Sequence, residues 1–133
     1  MAICGRNEKL YEDLWAEEIP GLRVLDYCRE ISLYMDAADL IVTKPGGLSS
    51  TEAANKYLPM VFVNVVGGCE GRNFSCFLAH GYALGGDESR EVADLVVDLA
   101  DCPEHMARMR RILERDFTIN SAALIAGHLM GSV

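Results

Sequence analysis

Short runs of consecutive apolar residues alternate along this chain with segments whose apolar residues recur every three or four positions. Ala2-Ile3-Cys4, Leu22-Arg23-Val24-Leu25, Leu40-Ile41-Val42, the long run 60–66 and Tyr82-Ala83-Leu84 have the continuous apolar character of buried strands. The run 60–66 is the strongest, because β-branched residues dominate it. Between these runs, helical spacing predicts helices over 8–19, with Leu10, Leu14 and Ile19 roughly on one face, and over 30–38, with Ile31, Tyr34 and Met35. Another follows Glu52 and stops at Pro59. Further helices are predicted over 72–80, ending at Gly81, and through Val92, Leu95, Val96 and Leu99 at i, i+3, i+4 and i+7. Pro103 opens the next at its first turn, with Met106, Met109 and Ile112 turned inward, and 120–130 forms the last. Strands alternating with helices imply an α/β domain built on a parallel sheet with helices on both faces.

In such a sheet, ligands bind at the carboxyl ends of the strands. Two diglycines fall there, Gly46-Gly47 and Gly67-Gly68. The first lies in Lys44-Pro45-Gly46-Gly47-Leu48-Ser49-Ser50-Thr51-Glu52, between an apolar run and a helix-forming one. Glycines let the backbone turn sharply and approach a ligand. Ser49, Ser50 and Thr51 offer N-cap hydroxyls, and free N–H groups at a helix start attract anions. Glu52, about one turn further on, would repel a bare phosphate but can accept hydrogen bonds from a ribose diol. The spacing therefore suggests a nucleotide: diphosphate at the turn, sugar at the acid. The competing reading is an ordinary tight turn followed by a surface helix. Lys44 either neutralises phosphate or is a solvated loop lysine.

Composition narrows the classes. A chain of 133 residues, half of them hydrophobic, can bury a normal single core. A net charge of −8 argues against nucleic acid as a main partner. No apolar run approaches the ~20 residues of a membrane span, and no secretory signal is visible at the N-terminus. Cys4, Cys28, Cys69, Cys76 and Cys102 are odd in number and lack Cys-x-x-Cys spacing, which reads as free thiols, with no metal site. Cys69 reads as a small packing residue, and His80, His105 and His128, near helix ends, as structural. Arg108, Arg110, Arg111 and Arg115 form one local basic face, either a solvated helix surface or a contact for anionic lipid.

Three segments in order, Cys4-Gly5-Arg6-Asn7-Glu8-Lys9-Leu10, Thr43 through Ala53, and Gly68-Cys69-Glu70-Gly71-Arg72-Asn73, resemble the C-terminal domain of glycosyltransferase family 28. The nearest likeness is to monogalactosyldiacylglycerol synthases and processive diacylglycerol glucosyltransferases, and more distantly to MurG. The resemblance implies the donor half of a GT-B fold, with residues 1–133 as a Rossmann-like nucleotide-sugar-binding domain. It implies that Gly46, Gly47, Leu48 and Ser49 lie along the diphosphate and Glu52 on the ribose. Glu70 and Asn73 would face the donor sugar, with Cys28, in Tyr27-Cys28-Arg29, on the backbone stretch that meets the uracil. Helix capping is the plainer reading of Glu70 and Asn73.

The intact enzyme implied is a hexosyltransferase acting from a UDP-sugar onto a lipid hydroxyl such as diacylglycerol, cytoplasmic and peripheral to the membrane, with no cofactor beyond the donor. Two departures stand out: Cys69 replaces the usual glutamine, and Asp26 a common glycine. Against the family pattern, the acceptor domain with its catalytic base, and a first strand between those ending at Gly5 and Thr43, have no counterpart in this sequence. The chain alone is therefore expected to bind UDP weakly and to lack transferase activity. Its sheet is expected to rearrange, to pair the flanking strands directly, or to dimerise through the gap. The alternatives are a subunit of a split two-chain transferase and a sugar-nucleotide epimerase-like domain.

Overall fold

The computed structural model describes residues 1–63, 67–86, 88–118 and 121–131. Its contacts divide the chain into two units, Met1–Tyr34 and Met35–Val133.

In the first unit, β1 (Ala2–Ile3) and β2 (Val24–Leu25) pair in parallel, with Ala2 opposite Val24 and Ile3 opposite Leu25. The crossover between them is α1 (Glu8–Ala16). Asn7 starts that helix: its side-chain oxygen accepts from the Leu10 N–H at 3.1 Å. The helix stops three residues before Ile19, the predicted end. Glu18 has turned to φ +45°, and Pro20 cannot extend the ladder. Val24 is buried, while Trp15 and Ile19 remain exposed beside a groove that Leu14 and Leu22 also line. α2 (Ile31–Ala37) carries the boundary between the units.

The second unit is a three-stranded parallel sheet in the order β3-β4-β5, formed by β3 (Ile41–Thr43), β4 (Met60–Phe62) and β5 (Ala83–Gly85). Thr43 lies opposite Phe62, and Phe62 opposite Gly85. All three residues of β4 are buried, as a central parallel strand covered on both faces requires. Each fully buried side chain of the Phe62 class contributes about 1.5–3 kcal/mol. The helices are α3 (Gly47–Asn55), α4 (Cys69–His80), α5 (Ser89–Asp101), α6 (Pro103–Asp116) and α7 (Ser121–Leu129). α4 packs on β5, α5 on β4 and β5, and α6 on α5 and α3. Val61, Val92, Leu99 and Met109 form the core cluster, with Leu95, Val96 and Met106 packed against it. The methionine stripe is therefore core, as its helical spacing predicts.

Phe62, Phe74, Phe77, Tyr82 and Phe117 make an aromatic group under α4. Its outer edge is polar. Tyr82 Oη donates to Asp116 at 2.9 Å, and Arg115 holds the same carboxylate at 2.6 Å and 2.7 Å. His80 stacks on Tyr82 with centroids 5.2 Å apart, and its Nδ1 lies 2.8 Å from the Cys76 carbonyl oxygen. This is a packing role.

Parallel pairing holds throughout, but in two sheets rather than one. Among the described residues β1 pairs with β2 and β3 with β4, so of the three outcomes expected for the sheet, direct pairing of the strands ending at Gly5 and Thr43 is not the one seen. The strand predicted over 60–66 ends at Phe62. Val63 still donates to the Thr43 carbonyl at 3.0 Å, and Asn64, Val65 and Val66 lie outside the described residues, as does Asn120 of the last predicted helix. None of the described residues of α7 is buried.

Candidate functional site

β3 delivers the chain at Thr43 to the Lys44-Pro45-Gly46 bend, and α3 begins at Gly47. Pro45 is fully buried and Lys44 exposed. The Gly46 N–H donates to the Lys44 carbonyl at 2.8 Å, closing a three-residue turn around Pro45. The Gly46 carbonyl accepts from the Ser50 N–H at 3.1 Å and also from the Ser50 hydroxyl. The Thr51 hydroxyl donates to the Gly47 carbonyl at 2.7 Å.

These bonds correct two expectations. Ser50 and Thr51 do not cap α3: they sit inside it, and their hydroxyls bond one turn back, as serine and threonine do in helix interiors. The N-cap is Gly46, which has no capping side chain. The Gly46 amide is committed to Lys44, so Gly46 contributes to an anion site through its lack of a side chain and not through its N–H. The donors are one step further on. Among the described residues, no acceptor is placed on the N–H groups of Gly47, Leu48 and Ser49, the first turn of the helix. They carry the positive end of the helix dipole.

The glycines themselves are informative. Gly46 adopts φ −75°, ψ 144°, an ordinary extended conformation open to any residue. A Cβ built there meets nothing within 4 Å. At Gly47 the nearest atom to such a Cβ is the Asn73 side-chain nitrogen at 4.0 Å, ordinary contact. Among the described residues, neither backbone strain nor packing calls for glycine at these two positions.

Glu52 is exposed and is the sixth residue of α3. It shares a face with Leu48 and Ser49, at i+4 and i+3. At 1.5 Å per residue its Cα lies about 4.5–7.5 Å further along the axis than those of the first turn, and helical Cβ bonds tilt back towards the N-terminus. The first-turn amides and the Glu52 carboxylate thus belong to one helix, about one turn apart.

α4 supplies the second half of the group. Gly68 precedes it with φ +75°, ψ −129°, a conformation that glycine alone adopts freely. This starts the helix at Cys69, three residues before its predicted start, and places both Glu70 and Asn73 within it. Asn73 is the fifth residue and caps nothing. Its Nδ2 donates to the Pro45 carbonyl at 3.0 Å, across 28 positions of sequence. Glu70 is half-buried one turn earlier, on the same face. Cys69 is exposed, so it is not the packing residue that its size suggests, and the Arg72 guanidinium lies 3.8 Å from its sulfur.

The position of α4 depends on a residue that sequence reasoning passed over. A Cβ on Gly85 would lie 2.4 Å and 2.7 Å from the Phe74 ring. The bare backbone at the end of β5 lets Phe74, next to Asn73, settle onto the sheet. A glycine closing an apolar run was the available signal.

Gly46, Gly47, Leu48, Ser49, Glu52, Glu70 and Asn73 therefore all lie on the turns and first helical residues that follow β3 and β4. Cys28 belongs to the first unit, half-buried in the loop after β2, where Arg6 stands 5.6 Å from the centre of the neighbouring Tyr27 ring. Among the described residues, no three His, Cys, Asp or Glu side chains are grouped to hold a metal ion. No helix among them is long and apolar enough to cross a membrane.

Parallel strands flanked by helices, with paired glycine turns where strands give way to helices, make this an α/β fold that solved proteins share. The solved glycosyltransferase of kitacinnamycin matches the fold with a TM-score of 0.58 at 24% identity, over 80% of this chain and 29% of that one. No family model matches the chain. Among curated proteins, the processive diacylglycerol β-glucosyltransferase of Staphylococcus epidermidis (strain ATCC 12228 / FDA PCI 1200) is 32% identical over 109 residues, 80% of this chain and 28% of the relative. The protein of the same name from Staphylococcus aureus (strain Newman) is 29% identical over 116 residues, 86% of this chain and 30% of the relative. The chain is similar to these proteins over most of its own length and spans less than a third of theirs.

Proposed function

We propose that this chain is the donor-binding domain of a glycosyltransferase that moves a hexosyl group from a UDP-sugar to a lipid hydroxyl such as that of diacylglycerol. One observation carries the reading. Among the described residues, three uncapped amides, Gly47 to Ser49, stand behind two glycines that neither backbone strain nor packing calls for. A ligand that needs both backbone donors and close approach accounts for the two features together. The names of the relatives supply the acceptor class.

In this reading the diphosphate lies on the first turn of α3. As the sugar leaves, negative charge grows on the terminal phosphate. Amides already oriented towards it stabilise that charge without reorganising. Glu52 accepts from the ribose hydroxyls, and Glu70 and Asn73 lie on the sugar side. The base that takes the acceptor proton comes from outside this chain. An intact enzyme of this kind works at a membrane surface.

The test is a titration of the chain with UDP, UDP-glucose, GDP and ADP, followed by chemical shifts of its amides. UDP and UDP-glucose should move Gly47, Leu48 and Ser49 most. Glu52→Ala should weaken UDP roughly tenfold or more, the loss of a charge-assisted hydrogen-bond pair. Saturable UDP binding that leaves those three amides unmoved would refute the placement.

A further inference from the structure

We propose that Asn73 is a positioning residue: by holding the Pro45 carbonyl it sets the orientation of the peptides that present the donor-binding amides. The inference rests on the reading of α3 as the diphosphate site and changes the role of Asn73 within it. Family likeness puts Asn73 against the sugar, whereas its observed bond is to the protein.

The argument begins with one peptide plane. The Pro45 carbonyl and the Gly46 N–H belong to the same planar unit and point in opposite directions. Asn73 Nδ2 grips the carbonyl end at 3.0 Å, and the Lys44 carbonyl takes the N–H end at 2.8 Å. With both ends held, the plane cannot rock. Proline fixes the φ that precedes it, and Pro45 is fully buried. What remains before the first free amide, that of Gly47, is the φ and ψ of Gly46, the residue with the least intrinsic restraint in the segment. Ser50 N–H and hydroxyl then hold the Gly46 carbonyl from the other side.

The turn is thus a chain of tethers around a flexible glycine, and Asn73 is the tether that comes from another helix. It crosses from α4 to the β3–α3 bend, and Phe74 anchors it on the sheet at Gly85. A mobile diglycine would have to be ordered on binding, at a cost in affinity. Ordering it beforehand removes that cost. An asparagine amide suits the task because it donates to the carbonyl without carrying a charge towards a diphosphate.

Labelled full chain tests this in two ways. In Asn73→Ala, the Gly46 amide proton should exchange with solvent several-fold faster, and the dissociation constants of UDP and UDP-glucose should rise by the same factor, roughly three- to tenfold. Asn73→Asp keeps the side-chain shape but cannot donate as a carboxylate, so it should show the same faster exchange if the alanine variant folds poorly. An unchanged Gly46 exchange rate in both variants overturns the proposal. So does a loss confined to UDP-glucose with UDP unaffected, which is the signature of a sugar contact. The exchange measurement needs no ligand. If wild-type chain bound no UDP while Gly46 exchange still depended on Asn73, the function would fall and the tether would stand.

Discussion

The two glycine pairs at the ends of β3 and β4 look alike in sequence and differ in physics. Gly68 sits at φ +75°, ψ −129°, where any other residue is strained, so the fold itself demands it. Gly46 sits at φ −75°, ψ 144°, where any residue fits, and neither its own surroundings nor those of Gly47 leave a Cβ without room. Gly68 is explained by its own backbone; Gly46, Gly47 and also Gly67, where an added Cβ meets nothing within 4 Å, are not explained by the described residues, and that is the reason to look beyond them. A glycine that the backbone does not need is a better sign of a ligand than one that it does.

Substitutions separate the two cases. The largest effect is expected at Gly85, where an alanine methyl must displace the Phe74 ring. Gly85→Ala should lower unfolding free energy by up to about 3 kcal/mol in urea. By shifting α4 it should also speed Gly46 exchange. Gly86→Ala meets the Glu91 side chain, Cγ at 2.8 Å, which can swing away more readily than a ring seated on the sheet, and should cost less than Gly85→Ala. Next, Gly68→Ala should cost about 1–3 kcal/mol through strain, whereas Gly46→Ala should stay within about 0.5 kcal/mol. Equal costs at Gly68 and Gly46 would break the comparison.

Gly47→Ala sharpens it further. Alanine in the first helical turn should raise stability by about 0.5 kcal/mol. The added methyl should still weaken UDP roughly tenfold by holding the phosphate off the amides. Gain of stability with loss of binding is the result that an ordinary turn would not give.

The smallest effect, and a control away from both turns, concerns Asp116. The Arg115 guanidinium, and then the Tyr82 hydroxyl, pull its pKa from 3.8 to about 2. Burial, and then the bond to Asp116, push the Tyr82 phenol upwards. The carboxylate is favoured in the folded chain. Its stabilisation is therefore present above pH 4 and is lost as pH falls from about 4 towards 2. Asp116→Asn should flatten melting temperature against pH in that window while leaving Gly46 exchange unchanged.

Much of this was legible in sequence. Continuous apolar runs identified β3 and β4, and helical spacing identified α5 and α6, because burial on both faces of a parallel sheet leaves a strong pattern. That Glu52 follows the first turn of α3 on the same helix could be read from spacing alone. Ser50 and Thr51 were misread because a hydroxyl near a helix start can either cap or bond backwards, and composition does not choose. The start of α4 was missed because Cys69-Glu70-Gly71 reads as a loop, and only the backbone angle at Gly68 starts the helix there. The Asn73–Pro45 bond joins residues 28 positions apart, and no local pattern encodes it.

α7 carries a practical lesson for all these measurements. Leu124, Ile125 and Leu129, with Met130 just beyond, lie between 52% and 84% exposed at a helix that contains no acidic or arginine side chain. Oily side chains kept in water favour clumping as concentration rises. Dilute samples, with light scattering run in parallel, will tell genuine ligand-induced changes from simple crowding of one molecule against the next.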